Sequence, residues 1–395
     1  MSSENRKSSY ISGKESRRIT RFNRRVTKKL EKARADAARD EALYTTRMKN
    51  PDNVVEFDNV CTYFFSDVGV VKAVDGVTYE VPVGKTVGIV GESGCGKSVT
   101  SLSLMQLLQR PSGQTVGGEI RFNLGEGDGR AYNIVNTPNT IMEKIRGNRI
   151  SMIFQEPMTA LNPVFRIGQQ VDEVTQLHFP EMTQEEVKAR TLEMLELVGI
   201  ANKEGVYNMY PHELSGGMRQ RVCIAIALAC RPSLIIADEP TTALDVTIQA
   251  QILELMQSLQ KKLGMAIIMI THDLGVIADM RDEIIVMYAG RICERGTADE
   301  IFYNPRHEYT KGLLRSIPRL ETGHARLIPI AGSPVDLTNM PKGCAFASRC
   351  DNCMKICLGE LPEELDINDF HKASCWMNVR QVYEEAAAEK EAESK

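Results

Sequence analysis

Short apolar runs recur in the middle of the chain, and segments with a helical pattern separate them. Three of these runs, Thr86–Val90, Leu234–Ala237 and Ala266–Ile270, have the length and the β-branched content of buried strands. The segments Lys97–Leu108 and Val222–Cys230 predict helices, and the second of them is strongly apolar. Strands that alternate with helices in this way favour an α/β fold built on a parallel sheet.

Polar residues that carry chemistry follow two of the predicted strands directly. Asp238 and Glu239 come after the second strand, and Thr271-His272-Asp273 follows the third. Taken singly, the carboxylates could be a solvated strand end and the histidine could be structural. The carboxyl edge of a parallel sheet is, however, where α/β proteins bind their ligands. The positions therefore predict a ligand site at this edge.

The loop after the first strand matches the phosphate-binding pattern G-x-x-x-x-G-K-[ST], with a strand before it and a helix after it. Its glycines let backbone N–H groups surround phosphate oxygens, and the helix N-terminus adds a positive dipole end. The predicted nucleotide-binding residues of this loop are Gly91, Glu92, Ser93, Gly94, Cys95, Gly96, Lys97, Ser98 and Val99.

Further motifs follow the P-loop in a specific order. They are the segment Met152–Pro157, the Leu-Ser-Gly-Gly sequence at 214–217, the Asp238-Glu239 pair, Ala243–Asp245 and the lone His272. Together these motifs resemble the ATP-binding cassette of ABC transporters over residues 53–320. The resemblance implies a P-loop α/β fold with a RecA-like core, an antiparallel β subdomain and a helical subdomain at about 156–231.

The resemblance also implies a role for each residue at the sheet edge. Ser98, Gln155 and Asp238 would hold Mg²⁺, with Asp238 acting through water. Glu239 would be the general base that polarises the attacking water, and His272 would contact the γ-phosphate. Phosphoryl transfer depends on positioning and charge stabilisation, which these residue types supply.

An aromatic residue ahead of the P-loop is the candidate adenine contact. Tyr63 precedes Lys97 by the spacing that resembles the family's adenine-stacking loop. The alternatives are that Tyr63 is a half-buried strand aromatic, or that Phe64 takes its place.

Two further motifs imply a dimer. In the family that the chain resembles, the residues matching Ser215, Gly216 and Gly217 cap the nucleotide of a partner subunit, and Asp245 belongs to the D-loop. Hydrolysis would then require a second ATP-binding subunit, which is expected to be a related but distinct chain.

No apolar run approaches the roughly 20 residues that a membrane-spanning helix needs. We therefore expect the pore to come from two separate membrane-spanning permease subunits. An extracytoplasmic substrate-binding protein is expected to deliver the substrate to them. The chain would lie at the cytoplasmic face of the cell membrane as a peripheral subunit. No recognised nucleic-acid module is present, so no nucleic-acid partner is expected.

The N-terminal arm, residues 1–50, carries more than twice as many Lys and Arg as Asp and Glu, although the whole chain has a net charge of −4. A thin apolar stripe runs beneath its basic residues at helical spacing: Ile19, Phe22, Val26, Leu30, Ala33 and Ala37. This pattern predicts either a basic amphipathic helix on an anionic membrane surface or a solvated, partly disordered arm.

The ten cysteines fall into separate groups. Those in apolar contexts are predicted core residues: Cys61, Cys223, Cys230 and Cys293. Cys95 lies at the start of a helix beside Lys97, a position that could lower its thiol pKa. The C-terminal cysteines Cys344, Cys350, Cys357 and Cys375 resemble the pattern that binds a [4Fe–4S] cluster in some dipeptide-importer ATPases. The alternative is a structural Zn²⁺ site, in which Cys353 could replace one of the four.

The segments at 304–314 and 330–350 resemble the closing segment and C-terminal extension of oligopeptide and dipeptide importer ATPases. The predicted domains are therefore a basic arm (1–50), a cassette (51–320), a Cys-rich extension (321–377) and a charged tail (378–395). The implied function is ATP hydrolysis that drives peptide import. The alternatives are an importer of nickel or another small solute, and a non-transport ABC ATPase.

Overall fold

The computed structural model describes residues 12–125, 127–155, 160–242, 244–278, 282–316 and 329–379. Most of the predicted charged tail, 380–395, lies outside these ranges, as do residues 1–11 of the basic arm. Within the described ranges, every helix is too short or too polar to cross a membrane.

The described strands, in chain order, are β1 Thr45–Arg47, β2 Asn53–Phe65, β3 Val70–Pro82, β4 Thr86–Val90, β5 Gly113–Asn123, β6 Arg130–Asn133, β7 Ile150–Ile153, β8 Leu234–Asp238, β9 Ala266–Thr271, β10 Glu283–Tyr288, β11 Arg291–Thr297, β12 Leu365–Asn368 and β13 His371–Ala373.

The described α-helices are Gly13–Ala37, Glu41–Tyr44, Lys97–Leu104, Asn139–Ile145, Ile167–His178, Gln184–Leu197, Lys203–Asn208, Gly216–Leu228, Val246–Leu263, Leu274–Ile277, Ala298–Tyr303, Glu308–Arg315 and Lys355–Gly359. Two 3₁₀ turns are Pro211–Glu213 and Ala347–Arg349.

The central sheet has the strand order β12-β13-β11-β10-β4-β9-β8-β7. The five strands from β10 to β7 are parallel, and β4, β8 and β9 are buried along their whole length. Both faces of these strands are covered, which explains why they are continuous apolar runs in the sequence. The parallel arrangement brings the carboxyl ends of β4, β7, β8 and β9 to one edge.

A second sheet is antiparallel, with the order β1-β6-β5-β2-β3. Its long hairpin β2–β3 packs against the P-loop side of the central sheet, since Asp75 donates its backbone N–H to Gly290 at 2.8 Å. Phe57 and Tyr79 stack with ring centroids 4.2 Å apart in the core between the sheets. This arrangement confirms the predicted cassette fold with an antiparallel β part.

The predicted helical subdomain contains four described helices, from Ile167–His178 to Gly216–Leu228, which pack on one another. Asp172 holds this bundle together by accepting hydrogen bonds from the hydroxyls of Thr191 and Tyr207, each at 2.5 Å. In the sequence the bundle lies between β7 and β8.

The C-terminal region extends the central sheet, because β13 pairs with β11. His371 on β13 is fully buried, with Nε2 2.7 Å from a Glu294 carboxylate oxygen and Nδ1 3.1 Å from Glu300. Arg295 adds a bidentate pair to Glu364 at 3.0 and 3.1 Å. The region is therefore an integral part of the folded unit.

The basic arm forms a 25-residue helix, Gly13–Ala37, that packs on the antiparallel sheet. Buried Asn23 donates to the carbonyl of Ser66 at 2.7 Å, and Gln114 donates to Glu31 at 2.5 Å. The partly disordered alternative is therefore wrong for residues 13–37. Of the apolar stripe, Ile19, Val26, Leu30 and Ala37 are half-buried, whereas Phe22, Ala33 and most of the basic residues are exposed.

Replacing His371 with alanine tests the anchor between the C-terminal region and the cassette. His371→Ala removes the contacts to buried Glu294 and to partly exposed Glu300, so the free energy of unfolding should fall by about 1–3 kcal/mol, measured by urea titration. The matched control is Lys372→Ala, which removes an exposed ion pair to Asp366 and should cost less than about 1 kcal/mol. Equal losses for the two variants would contradict the anchoring role.

Candidate functional site

The predicted site residues converge at the carboxyl edge of the parallel strands. The P-loop follows β4, Gln155 follows β7, Glu239 follows β8 and His272 follows β9. These four strands lie in the order β4-β9-β8-β7. Neighbouring strands therefore bring together residues that are far apart in the chain.

The P-loop wraps around the side chain of Lys97. The Lys97 ammonium donates to the carbonyl of Gly91 at 2.7 Å and to that of Glu92 at 3.1 Å, and its side chain is buried. Gly96 has φ of 105°, and a Cβ there would lie 2.2 Å from the carbonyl oxygen of Ala73. Only glycine fits at this position. The loop ends at the N-terminus of helix Lys97–Leu104, the geometry that binds phosphate.

Ser98 and Asp238 face each other beside the P-loop. The Ser98 hydroxyl donates to Asp238 Oδ1 at 2.9 Å, and Asp238 is 7 % exposed. Burial raises the pKa of Asp238 above its usual range, and the nearby charge of Glu239 raises it further. A buried carboxylate beside a hydroxyl fits the oxygen ligands that Mg²⁺ prefers.

Three side chains fix the carboxylate of Glu239. Gln155 donates its amide N–H to Glu239 Oε2 at 2.8 Å, and Thr242 donates its hydroxyl to the same oxygen at 3.0 Å. His272 Nδ1 lies 3.2 Å from Glu239 Oε1. Thr242 was missed in the sequence, although its position three residues after Glu239, in a tight turn, is a usable signal.

The backbone of Glu239 is also unusual. Its φ is 49°, in the left-handed region that non-glycine residues rarely adopt, and its N–H donates to the carbonyl of Ile270 at 2.9 Å. Such strained positions cluster at functional sites. The left-handed conformation of Glu239 turns the chain sharply just after β8 ends at Asp238.

Tyr63 lies on β2, opposite Lys72 on β3. Its hydroxyl donates to Asp75 at 2.5 Å, and burial together with this carboxylate raises its pKa well above the usual value. The adjacent Phe64 ring occupies the space beside Gly113, where a Cβ would approach it to 2.8 Å. Phe64 is therefore committed to packing, and Tyr63 remains the candidate adenine contact.

The predicted trans-acting residues are on the surface. Ser215 is exposed and begins helix Gly216–Leu228, where its hydroxyl accepts from the N–H of Met218 at 3.3 Å. Gly216 is exposed and Gly217 is half-buried. Asp245 is exposed and caps helix Val246–Leu263. These positions are accessible to a partner subunit.

Cys95 corrects one expectation from the sequence. Its thiol is 5 % exposed, and burial raises its pKa, although the charge of Lys97 opposes this effect. The expectation of a lowered pKa was wrong because desolvation outweighs the neighbouring cation.

The predicted iron–sulfur or zinc site is not supported. In the part of the chain that the structure describes, no group of three or more Cys, His, Asp or Glu side chains could hold a metal ion. Burial raises the pKa of Cys344 to about 11 and that of Cys350 to about 12, and Cys353 is exposed. Of the other two predicted ligands, Cys357 is buried and Cys375 is half-buried.

Residues 74–242 match the family described as ABC transporter, and residues 293–357 match the oligopeptide/dipeptide transporter C-terminal region. The chain is 51 % identical to the oligopeptide transport ATP-binding protein OppD of Bacillus subtilis (strain 168), over 82 % of this chain and 88 % of that protein. It is 48 % identical to the dipeptide transport ATP-binding protein DppD of the same organism, over 82 % and 95 %.

Among solved structures, the chain is similar to the dimeric bacterial ABC transporter cassette MJ0796, with a TM-score of 0.53 and 27 % identity. This similarity covers 62 % of this chain and 98 % of that one. The sequence relatives extend the similarity into the C-terminal region. The chain therefore belongs to the ABC transporter family of ATP-binding proteins, in the branch that carries the oligopeptide/dipeptide transporter C-terminal region.

Proposed function

We propose that this protein is the ATPase subunit of an importer and hydrolyses ATP to drive uptake of di- and oligopeptides through separate membrane subunits. The observation that carries the proposal is the carboxylate of Glu239, held by three side chains at the sheet edge that also bears the P-loop. The names of the relatives OppD and DppD support the peptide cargo.

The P-loop and its neighbours bind the nucleotide. Lys97 exchanges its contacts with loop carbonyls for the β- and γ-phosphates, and the loop amides and helix N-terminus receive the remaining phosphate oxygens. Ser98 would hold Mg²⁺ together with Asp238, the latter through water, and the bound ion would neutralise charge developing on the phosphates. The carbonyl oxygen of Gln155 would supply a further ligand, and Tyr63 would stack on adenine.

Glu239 acts as the general base. Its carboxylate accepts a proton from the attacking water, while Gln155 and Thr242 fix one oxygen and His272 lies beside the other. His272 is 56 % exposed, so its ring can also reach the γ-phosphate from the solvent side. This positioning is the main catalytic contribution that phosphoryl transfer requires.

A second ATP-binding subunit completes each site. Ser215, Gly216 and Gly217 would cap the γ-phosphate bound by the partner. Leu244 and Ile248, on either side of Asp245 in the sequence, lie next to Gly216 and Gly217. The cassette MJ0796 was solved as a dimer, and also as a dimer bound to ADP and Pi. The partner subunit here would be a related but distinct chain.

The permease subunits would contact the helical subdomain. Large apolar side chains are exposed on either side of Gln155, ahead of helix Ile167–His178: Phe154 at 49 %, Val164 at 71 % and Phe165 at 50 %. Exposed apolar patches of this kind mark protein interfaces. Movement of a permease segment bound here would shift Gln155 and, through its hydrogen bond, the carboxylate of Glu239.

The basic helix supports a peripheral location at the cytoplasmic face of the membrane. Its exposed cations, among them Lys14, Arg17, Arg18, Arg21 and Arg25, lie on the side away from the cassette, with Phe22 62 % exposed. Basic residues near an anionic bilayer each contribute about 1 kcal/mol of attraction, screened by salt. The contact would be largely electrostatic, because only Phe22 and Ala33 of the apolar stripe are exposed.

Reconstitution of the chain with its permease subunits and binding protein tests the proposed function. Peptide uptake should depend on ATP and should stop without this subunit. Uptake of nickel in place of peptide would favour the alternative small-solute importer, and nucleotide hydrolysis with no coupled uptake would favour a non-transport ATPase.

Glu239→Gln should remove most ATP hydrolysis, because the amide keeps the shape of the side chain but cannot take a proton. The expected loss in turnover of the assembled transporter is about 10²–10⁴-fold, with ATP binding retained. Glu254→Gln, an exposed substitution on helix Val246–Leu263, is the matched control and should hydrolyse ATP normally. Near-normal turnover of Glu239→Gln would refute the general-base role.

Asp238→Asn should raise the thermal stability of the protein without nucleotide and at the same time weaken its binding of Mg²⁺. Because the folded-state pKa of Asp238 is raised, its contribution to stability is present at low pH and is lost as the pH rises through that pKa. The variant should therefore melt about 1–2 °C higher than the parent at pH 7, without nucleotide, and the difference should disappear in acid. It should also lose the Mg²⁺-dependent part of the thermal shift caused by ATP. A variant that keeps this shift would refute the metal role.

Replacing Lys14, Arg17, Arg18, Arg21 and Arg25 together with glutamine should weaken co-sedimentation with phosphatidylglycerol vesicles at low salt. Each charge should contribute about 1 kcal/mol, and high salt should remove the difference. Neutral phosphatidylcholine vesicles and the variant Lys261→Gln, on the surface of another helix, are the controls. Unchanged recovery with anionic vesicles would contradict the membrane role of the arm.

A further inference from the structure

Glu92 is the second residue of the P-loop, and its backbone N–H, its carbonyl and its carboxylate all form hydrogen bonds. Its N–H donates to the hydroxyl of buried Tyr309 at 2.7 Å. Its carbonyl accepts from Lys97 at 3.1 Å and from the N–H of Cys95 at 3.3 Å. Its carboxylate forms a bidentate pair with Arg349, at 2.6 and 2.9 Å. The first turn of the loop is thus fixed before any nucleotide binds.

Arg349 belongs to the C-terminal region, 257 residues along the chain from Glu92. Its side chain is 3 % exposed, and its guanidinium lies 5.9 Å from the ring centroids of both Tyr288 and Phe346. Its Nε donates to the carbonyl of Ala331 at 3.0 Å. The pair with Glu92 raises the pKa of this guanidinium further, so it stays charged. The two ring contacts and the hydrogen bond to Ala331 therefore fix the position of the cation.

The pair between Arg349 and Glu92 matters for nucleotide binding because Arg349 neutralises the negative charge of the Glu92 carboxylate. Without Arg349, the Glu92 carboxylate would lose its bidentate partner in a loop that must accept a triphosphate. Repulsion between this carboxylate and the phosphates would oppose binding. The loop would also lose one of the contacts that set its shape, although Tyr309 would remain.

We propose that Arg349 is a positioning residue of the ATP site, through which the oligopeptide/dipeptide C-terminal region completes the P-loop. Arg349 touches no nucleotide and acts through Glu92. The proposal rests on the proposed ATP binding by the P-loop. It adds that the affinity for ATP depends on a contact from outside the segment that matches the ABC transporter family.

The simpler alternative is that Arg349 only anchors the C-terminal region. Arg295 offers a matched comparison, because it also joins the cassette to this region by a bidentate pair, with Glu364. Its side chain is 11 % exposed, and neither partner lies in the P-loop. Loss of Arg295 should loosen the same region without placing an unpaired carboxylate in the loop.

The test measures ATP affinity of the full-length chain by displacement of a fluorescent ATP analogue, together with the melting temperature without nucleotide. Arg349→Met should raise the Kd for ATP about tenfold, the size of coupling that contacting groups show. Arg349→Lys should lie between it and the parent, since lysine cannot form the bidentate pair. Arg295→Met should change the Kd less than about twofold, whatever its melting temperature.

The second variant, Glu92→Gln, separates positioning from anchoring. In the Arg349→Met background, Glu92→Gln should restore most of the lost affinity, because it removes the unpaired charge. An anchoring role predicts no such rescue and equal losses for Arg295→Met and Arg349→Met, and either result would overturn the proposal. A parent chain that fails to bind ATP would refute the proposed function itself, a different outcome from failure of the Arg349 proposal.

Discussion

The adjacent carboxylates at the end of β8 impose the constraint on which the site depends. Asp238 is buried and Glu239 is nearly so. Two adjacent buried carboxylates are costly unless hydrogen-bond donors or cations stabilise their charges. Ser98 donates to the first, while Gln155 and Thr242 donate to the second. The two side chains contact different groups, so that one can face a metal and the other a water.

The parallel sheet meets this constraint by its topology. Ser98, Gln155 and His272 come from segments that follow β4, β7 and β9, and the strand order places these segments around the end of β8. The buried apolar strands thereby fix the separation of the polar groups at their ends. The C-terminal region contributes to the same arrangement from the other side of the P-loop, through Arg349 and Glu92.

Much of this arrangement is predictable because it is encoded locally. The run Thr86–Val90 is the observed strand β4, and Ala266–Ile270 extends by only one residue. The helix after the P-loop ends at Leu104, earlier than predicted, because Gln106 takes a left-handed φ of 49° and its amide binds the carbonyl of Thr137 at 2.9 Å. The pattern of apolar residues in this segment cannot predict that tertiary contact.

Other features depend on contacts distant in the chain and could not be predicted. The pairing of Glu92 with Arg349 joins two ordinary charged residues whose proximity only the fold creates. The sequence suggested a reactive Cys95, but its burial could not be inferred from the neighbouring lysine. The cysteine spacing resembled a cluster pattern, yet spacing alone does not determine whether the thiols converge.

The most direct test of the central claim is the structure of the assembled transporter with ATP and Mg²⁺ bound. The account predicts that Ser98 and Asp238 give up their mutual hydrogen bond, with the Ser98 hydroxyl oxygen about 2.0–2.1 Å from the metal and Asp238 reaching it through a water. Glu239 should lie within about 2.6–3.2 Å of a water in line with the γ-phosphate. A nucleotide bound with Glu239 turned away from the γ-phosphate, in a complex that hydrolyses ATP, would contradict the account.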